Sequence, residues 1–481
     1  MPRPSTVRLR NALLCDQPLC AFLTYMADTT GNSTEANEPG ATGSTADTKA
    51  TVAPNLASPN SAPRKSSWKY IGPGIVVAAT GVGAGDLVAT LIAGSNFGYT
   101  LLWAAVLGCL VKISLAEAAG RWHLSTGRTL FDGWASLGRW TTYFFVAYVV
   151  IWGFVYGAAA MSSSALPLQA LFPDVMDLKW WAILCGLSGL VFVWFNKYEV
   201  FEKVMTVLVG VMFVVTVYLA IRVTPNLGDA FAGLLPVLPD EKDSILNTLG
   251  LVGGVGGTIT LAAYGYWVNA KGWTNTGWMK VMRLDNRVAY VTTGIFVVSM
   301  LFVGAELLHS AGVAIASGDK GLIQLSDILA DKYGSATAKF FLIGFFATSY
   351  TSLIGVWHGV SLMFADFVER FRGTRTTGEE VASGTRERSW PFRAYLLWLT
   401  FPPIVLLFQG QPFRLIILYG VLGAAFLPFL AGTLLVLLNS SRTPAEWRNR
   451  LLSNAMLVIA GLLFLVLCVK QIWDQPWSEF F

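Results

Sequence analysis

Gly81-Val82-Gly83-Ala84-Gly85-Asp86 interrupts one long apolar run, and Gly250-Leu251-Val252-Gly253-Gly254-Val255-Gly256-Gly257-Thr258-Ile259-Thr260 interrupts another five segments later. Glycine weakens a helix by about 1 kcal/mol per position relative to alanine, so each cluster invites local unwinding. Asp86 stands directly at the first interruption. A charge at mid-membrane costs at least about 2.5 kcal/mol on insertion scales, so a functional role for it is the default expectation. Two Gly-interrupted helices at matching places in two halves of a chain predict an inverted repeat with a binding site at mid-membrane. Close helix packing through small residues is the competing reading of such glycines.

The surrounding sequence is that of a membrane protein. Of 481 residues, 54% are hydrophobic and only 13% charged, against about 25% charged in an ordinary soluble domain. With 18 Trp and 30 Phe, a soluble globule could not hide the apolar surface. A soluble enzyme, a disordered protein and a nucleic-acid binder are thereby excluded. Eleven apolar segments lie near 71–97, 100–121, 141–168, 180–196, 200–222, 245–269, 288–311, 337–366, 394–409, 412–439 and 451–470. Most reach the roughly 20 residues a helix needs to cross a bilayer. None has the alternation over about 10 residues of a membrane strand. The expected fold is an all-α polytopic membrane protein: eleven transmembrane helices, a 5+5 inverted repeat plus one extra helix. Repeat one covers about 71–222, repeat two about 245–439 and the extra helix about 451–470.

Lys and Arg set the expected orientation. Placing the N-terminus in the cytoplasm puts twenty-one of them inside, from Arg64, Lys65 and Lys69 through Lys271, Lys280, Arg283 and Arg287 to Arg442, Arg448 and Arg450. Eight fall outside, Lys179, Arg222, Lys242, Lys320, Lys332, Lys339, Arg414 and Lys470. The C-terminus then lies outside, and the plasma (inner) membrane is the expected location. The net charge of +5 is an orientation signal and needs no nucleic acid. Residues 1–66, rich in Ser, Thr, Ala, Asn and Pro, cannot bury enough surface to order themselves and are expected to form a disordered cytoplasmic tail before a transporter domain over 67–481. Asp16 and Pro18 break the apolar run that a signal peptide would need, and Met26 is an alternative start, on which reading 1–25 would be an extension of the gene prediction. The five Cys have no zinc or disulfide spacing.

From Gly72-Pro73-Gly74 to Gly94-Ser95-Asn96-Phe97-Gly98-Tyr99-Thr100-Leu101-Leu102-Trp103 the chain resembles the Nramp family of divalent metal transporters. Thr126-Gly127-Arg128, Asn196-Lys197-Tyr198-Glu199-Val200-Phe201-Glu202-Lys203 and Gly233-Leu234-Leu235-Pro236 extend the resemblance over about 70–440. It implies a LeuT-like inverted-repeat fold and alternating access. It also exposes a departure. The family carries Asp-Pro-Gly-Asn at the break in helix one, whose Asp and Asn bind metal; here those positions read Gly83-Ala84-Gly85-Asp86. Where the family has Met-Pro-His-Asn in helix six, this chain reads about Leu261-Ala262-Ala263-Tyr264. The soft thioether that favours Mn²⁺ or Fe²⁺ is gone, as expected of a diverged Nramp-related branch.

What remains around the breaks is Asp86, the sole acid and the candidate metal ligand, with Thr80, Gly83, Ala84, Gly85, Thr258, Thr260, Leu261, Ala262 and Tyr264 as the other candidate substrate contacts. Carboxylate, hydroxyl and carbonyl oxygens suit hard cations such as Mg²⁺, Ca²⁺ or Na⁺. The expected substrate is a metal cation, with no cofactor. An organic cation or other small metabolite, held by Asp86 and an aromatic wall of Tyr264, Tyr266 and Trp267, is the alternative, as is a receptor or scaffold that no longer transports. No Ser–His, Cys–His or paired-carboxylate set suggests an enzyme. Partners are the small substrate and the lipid bilayer, with a monomer expected. Four residues are candidates for coupling: Lys112, placed to neutralise an acid or replace a bound cation; Glu117, which can meet Arg121 one turn on; and Glu306 with His309, a potential proton-linked pair. His358 reads as a hydrogen-bonded packing residue, and 366–393 as a solvated charged loop.

Overall fold

The computed structural model describes residues 70–240, 244–254, 256–310, 319–373, 386–408 and 412–474; the expectations for 1–66 lie outside the described residues. Among the described residues every regular element is helical. The first apolar segment folds as two helices, α1 (Pro73–Gly81) and α2 (Ala84–Phe97). Then come α3 (Leu102–Thr126), α4 (Leu130–Leu137), α5 (Arg139–Leu171), α6 (Leu178–Phe195), α7 (Tyr198–Arg222) and the short α8 (Leu227–Ala232). The sixth segment is again divided, into α9 (Ser244–Gly254) and α10 (Thr260–Ala270). It is followed by α11 (Met279–Gly304), α12 (Asp319–Tyr333), α13 (Ser335–Phe371), α14 (Trp390–Thr400), α15 (Ile404–Leu407), α16 (Pro412–Asn439) and α17 (Leu451–Asp474). Among the described residues, eight helical stretches are long and apolar enough to cross a membrane.

Both expected interruptions are real, and each ends for its own backbone reason. After Gly81 the chain turns extended at Val82 (φ −90°, ψ 101°), whose N–H still bonds Ala78 O at 2.9 Å. After α9, Gly256 and Gly257 take φ of +74° and +86°, a region that side chains with a Cβ avoid. These two glycines are therefore demanded by conformation, which packing alone would not require.

Packing is reciprocal between the halves. The first broken helix, α1–α2, lies against α11, and the second, α9–α10, lies against α3, while α3 and α11 also pack on each other. Each half thus supplies a continuous helix that braces the other half's broken one, as an inverted repeat requires.

One boundary corrects the sequence reading. Helix α13 runs to Phe371, beyond the expected end at 366. Asp366 is fully buried within it, and Arg386 is buried beside it, 3.0 Å away and also 3.1 Å from Glu369. These ends of 366–393 are not a solvated loop, because charges leave water when opposite charges meet them in good geometry.

Candidate functional site

The two breaks meet backbone to backbone. A Cβ on Gly81 would fall on the peptide between Gly256 and Gly257, and one on Gly257 would lie 2.8 Å from Gly81 Cα. The crossing is deep in the bundle: Val82 and Ile259 have no exposed surface.

A broken helix leaves carbonyls without partners, and the two breaks satisfy theirs differently. At the end of α1, Ala79 O accepts from the Thr351 hydroxyl (3.4 Å) and Thr80 O from the Ser352 hydroxyl (2.9 Å), both from α13. The Ser352 hydroxyl in turn lies 2.8 Å from the Tyr156 hydroxyl of α5. Around the second break, the Lys112 ammonium of α3 donates to Gly253 O (3.2 Å) and to Gly257 O, and the Tyr290 hydroxyl donates to Gly256 O (3.3 Å). Lys112 is completely buried, and its Nζ stands 5.1 Å from the centre of the Phe464 ring. One break is closed by neutral hydroxyls, the other by a positive charge.

Among the residues singled out from sequence, the backbone puts Asp86 in the first turn of α2, just past the first break; the side chains of Ala84, Gly85 and Asp86 are outside the described part of the structure. Gly83 is buried at the break itself. The Thr80 hydroxyl turns back onto Val76 O (2.6 Å), with its side chain against Gly355. Thr258 is half-buried, and its methyl lies 2.9 Å from where a Cβ would stand on Gly423 of α16. Thr260 is buried at the start of α10, beside Gly257, and its hydroxyl has no hydrogen-bond partner among the described residues. Leu261 and Ala262 are buried in the core, and Ala262 lines a small cavity with Ala119, His123 and Asn269.

Several expected roles are corrected. Tyr264 does not face the breaks: its hydroxyl bonds Asp285 at 2.9 Å. Tyr266 bonds Asp366 (2.7 Å) and Trp267 bonds His358 (3.0 Å), so the three rings form no aromatic wall around a cation. Glu306 and His309 are not paired. The five-residue wide turn Ala305–His309 rotates them out of register, so Glu306 accepts from the Tyr99 hydroxyl (2.6 Å) and His309 Nδ1 lies 2.9 Å from Ser95 O. At Tyr99, burial first and then the Glu306 carboxylate hold the phenol well above its ordinary pKa. Glu117 meets Arg121 as expected (3.1 Å) and also Arg283 (2.9 Å), which makes it an ion-pair residue. His358 is indeed a hydrogen-bonded packing residue, stacked on Phe201 and 3.1 Å from Glu387.

Sequence reasoning missed Asp285. Fully buried on α11, it accepts from Gly72 N (2.8 Å) and Gly74 N (2.6 Å) and so holds the N-terminus of α1, where a carboxylate is favoured. Pro73 between them has no N–H to offer. Both glycines allow the approach, since a Cβ on Gly74 would meet Asp285 backbone and one on Gly72 would meet Glu202. Glu202 is itself paired with Lys271. The only sequence signal was Gly-Pro-Gly, and Lys280, Arg283 and Arg287 made Asp285 look solvated.

Two broken helices crossing inside a reciprocally braced bundle define a membrane transporter of the LeuT-like inverted-repeat class. Residues 74–474 match the family model for natural resistance-associated macrophage protein-like (Nramp) proteins, so the chain belongs to the Nramp family of metal ion transporters. It is 26% identical over 440 residues to the divalent metal cation transporter MntH of Mycobacterium leprae, covering 86% of this chain and 94% of that protein. To MntH of a Nostoc strain it is 24% identical over 451 residues, covering 87% and 94%. In structure it is similar to a manganese transporter of Eremococcus coleocola solved with an aromatic bis-isothiourea substituted compound, with a TM-score of 0.72 at 18% identity over 87% of this chain and 92% of that one. Mhp1, a nucleobase-cation-symport-1 family transporter, matches with a TM-score of 0.53 at 14% identity, over 87% and 95% of the two chains.

Proposed function

We propose that the chain is a secondary transporter that moves a hard metal cation, Mg²⁺ being the best fit, through a site where the two helix breaks cross, with Asp86 as its acidic contact. One observation carries this reading. The described polar atoms at the crossing are backbone carbonyls, the hydroxyls of Thr258, Thr260 and Tyr290, and the Lys112 ammonium that holds the carbonyls of the second break, with no thioether, thiol or imidazole among them. Oxygen ligands favour hard cations, and Mg²⁺ keeps part of its water shell, which suits the small residues at 83 and 84 of the first break. Among the described residues no group of three His, Cys, Asp or Glu assembles elsewhere into a metal site.

Transport by alternating access would require α1 and α10 to move against α11 and α13. At the basic end of the bundle Asp285 of α11 ties down Gly72 and Gly74 at the start of α1, Tyr266 of α10 bonds Asp366 of α13, and Glu202 of α7 pairs with Lys271 just after α10. These ties would have to open for a cytoplasmic pathway to form. The proposal includes eleven crossings, repeats at about 71–222 and 245–439, a cytoplasmic N-terminus, an outward C-terminus, a plasma-membrane location and a monomer.

The test is uptake of Mg²⁺, Mn²⁺, Ca²⁺ and Na⁺ into proteoliposomes by the wild type and by Asp86→Ala. Saturable Mg²⁺ uptake that Asp86→Ala abolishes is expected. Equal inertness of both proteins to all four ions would end the metal reading and favour a non-transporting relative.

A further inference from the structure

The fully buried ammonium of Lys112 is bound to two carbonyls that bracket the second helix break, those of Gly253 and Gly257. Carbonyls released by an unwound helix are the ligands that a transporter uses for a co-transported monovalent cation. Both carbonyls are neutral acceptors that meet at the Lys112 Nζ, and the charge that answers them comes from the protein itself.

We infer that Lys112 is a tethered cation that fills a monovalent-cation site at the second break, so that this chain operates without a co-transported Na⁺. The physical reasons are three. The ammonium carries the same single charge as Na⁺ and donates to the carbonyls that Na⁺ would coordinate. It reaches them from α3, the continuous helix that braces the broken one, so its charge stays with the bundle when a substrate leaves. Its burial against Phe464 makes the site too apolar to leave those carbonyls without a cation or donor. The assignment concerns a different ion from the proposed substrate, and its test needs no divalent metal.

The experiment measures the thermal stability of the purified full-length protein as Na⁺ replaces choline at constant ionic strength, with ²²Na⁺ binding measured alongside. A ligand that binds only the folded state raises the melting temperature saturably. The wild type and Lys112→Arg, which keeps the charge, are expected to be flat and to bind no ²²Na⁺. Lys112→Gln is expected to melt lower in choline and to recover by several degrees as Na⁺ fills the vacated carbonyls, with saturable ²²Na⁺ binding. A saturable Na⁺ effect in the wild type would overturn the inference, and so would a Lys112→Gln protein as indifferent to Na⁺ as the wild type. If Lys112→Gln does not fold, wild-type ²²Na⁺ binding decides alone, its absence supporting the inference and its presence refuting it. Failure of Mg²⁺ uptake with this Na⁺ pattern intact would reject the substrate assignment only.

Discussion

The two helix breaks lie against each other and solve the same problem in opposite ways. At the first, two carbonyls are capped by the hydroxyls of Thr351 and Ser352, and the following turn carries Asp86. At the second, the carbonyls are held by the ammonium of Lys112, and the following helix begins with neutral Thr260. Negative charge belongs to the first break and positive charge to the second. A cation entering the site proposed here would therefore meet one side carrying an acid and one side already satisfied. On that proposal a single acid marks the substrate side, and modest affinity for a divalent ion is expected.

The comparison can be broken first at the anchor of the first break. Asp285→Ala leaves the N–H groups of Gly72 and Gly74 without their acceptor and the Tyr264 hydroxyl with Met282 O alone; a loss of at least about 3 kcal/mol is expected, read as a large fall in melting temperature. A variant that melts like the wild type would mean α1 is held by something else. Next in size is the crossing itself. Gly81→Ala pushes a methyl group into the Gly256–Gly257 peptide and should cost about 1–3 kcal/mol as overpacking. Gly210→Ala in α7, where nothing lies within 4 Å of the added carbon, should be neutral or gain up to about 1 kcal/mol. Equal effects at the two glycines would show that the breaks do not touch. The smallest stability effect is expected at Thr260. Thr260→Val removes an unpartnered buried hydroxyl and should be neutral or stabilising by up to about 1 kcal/mol, while KM for Mg²⁺ uptake rises several-fold. Lost stability with an unchanged KM would assign that hydroxyl a structural partner instead.

Much of this was legible in the sequence, for physical reasons that can be named. A glycine cluster weakens a helix through its own backbone, whatever packs around it, so both breaks were readable to within a few residues. Hydroxyl residues on α13 were not, because Ser352 and Thr351 matter only through carbonyls on a helix some 270 positions away. Asp285 was missed, and Asp366 and Arg386 were read as part of a solvated loop, because neighbouring charges imply solvent, whereas their partners lie elsewhere in the bundle. Tyr264 illustrates the opposite error: proximity to the break in sequence suggested a ligand, and its position more than a turn beyond it brings the ring to Asp285.

The central claim, a hard-cation site read by Asp86 at the crossing of two unlike breaks, is tested most directly by metal selectivity. Initial rates of Mg²⁺ and Mn²⁺ uptake, each alone and each in competition, should be measured in proteoliposomes from a single preparation. Mg²⁺ flux that excess Mn²⁺ inhibits only weakly is the expected result. Mn²⁺ flux that is faster than Mg²⁺ flux and immune to excess Mg²⁺ would contradict it.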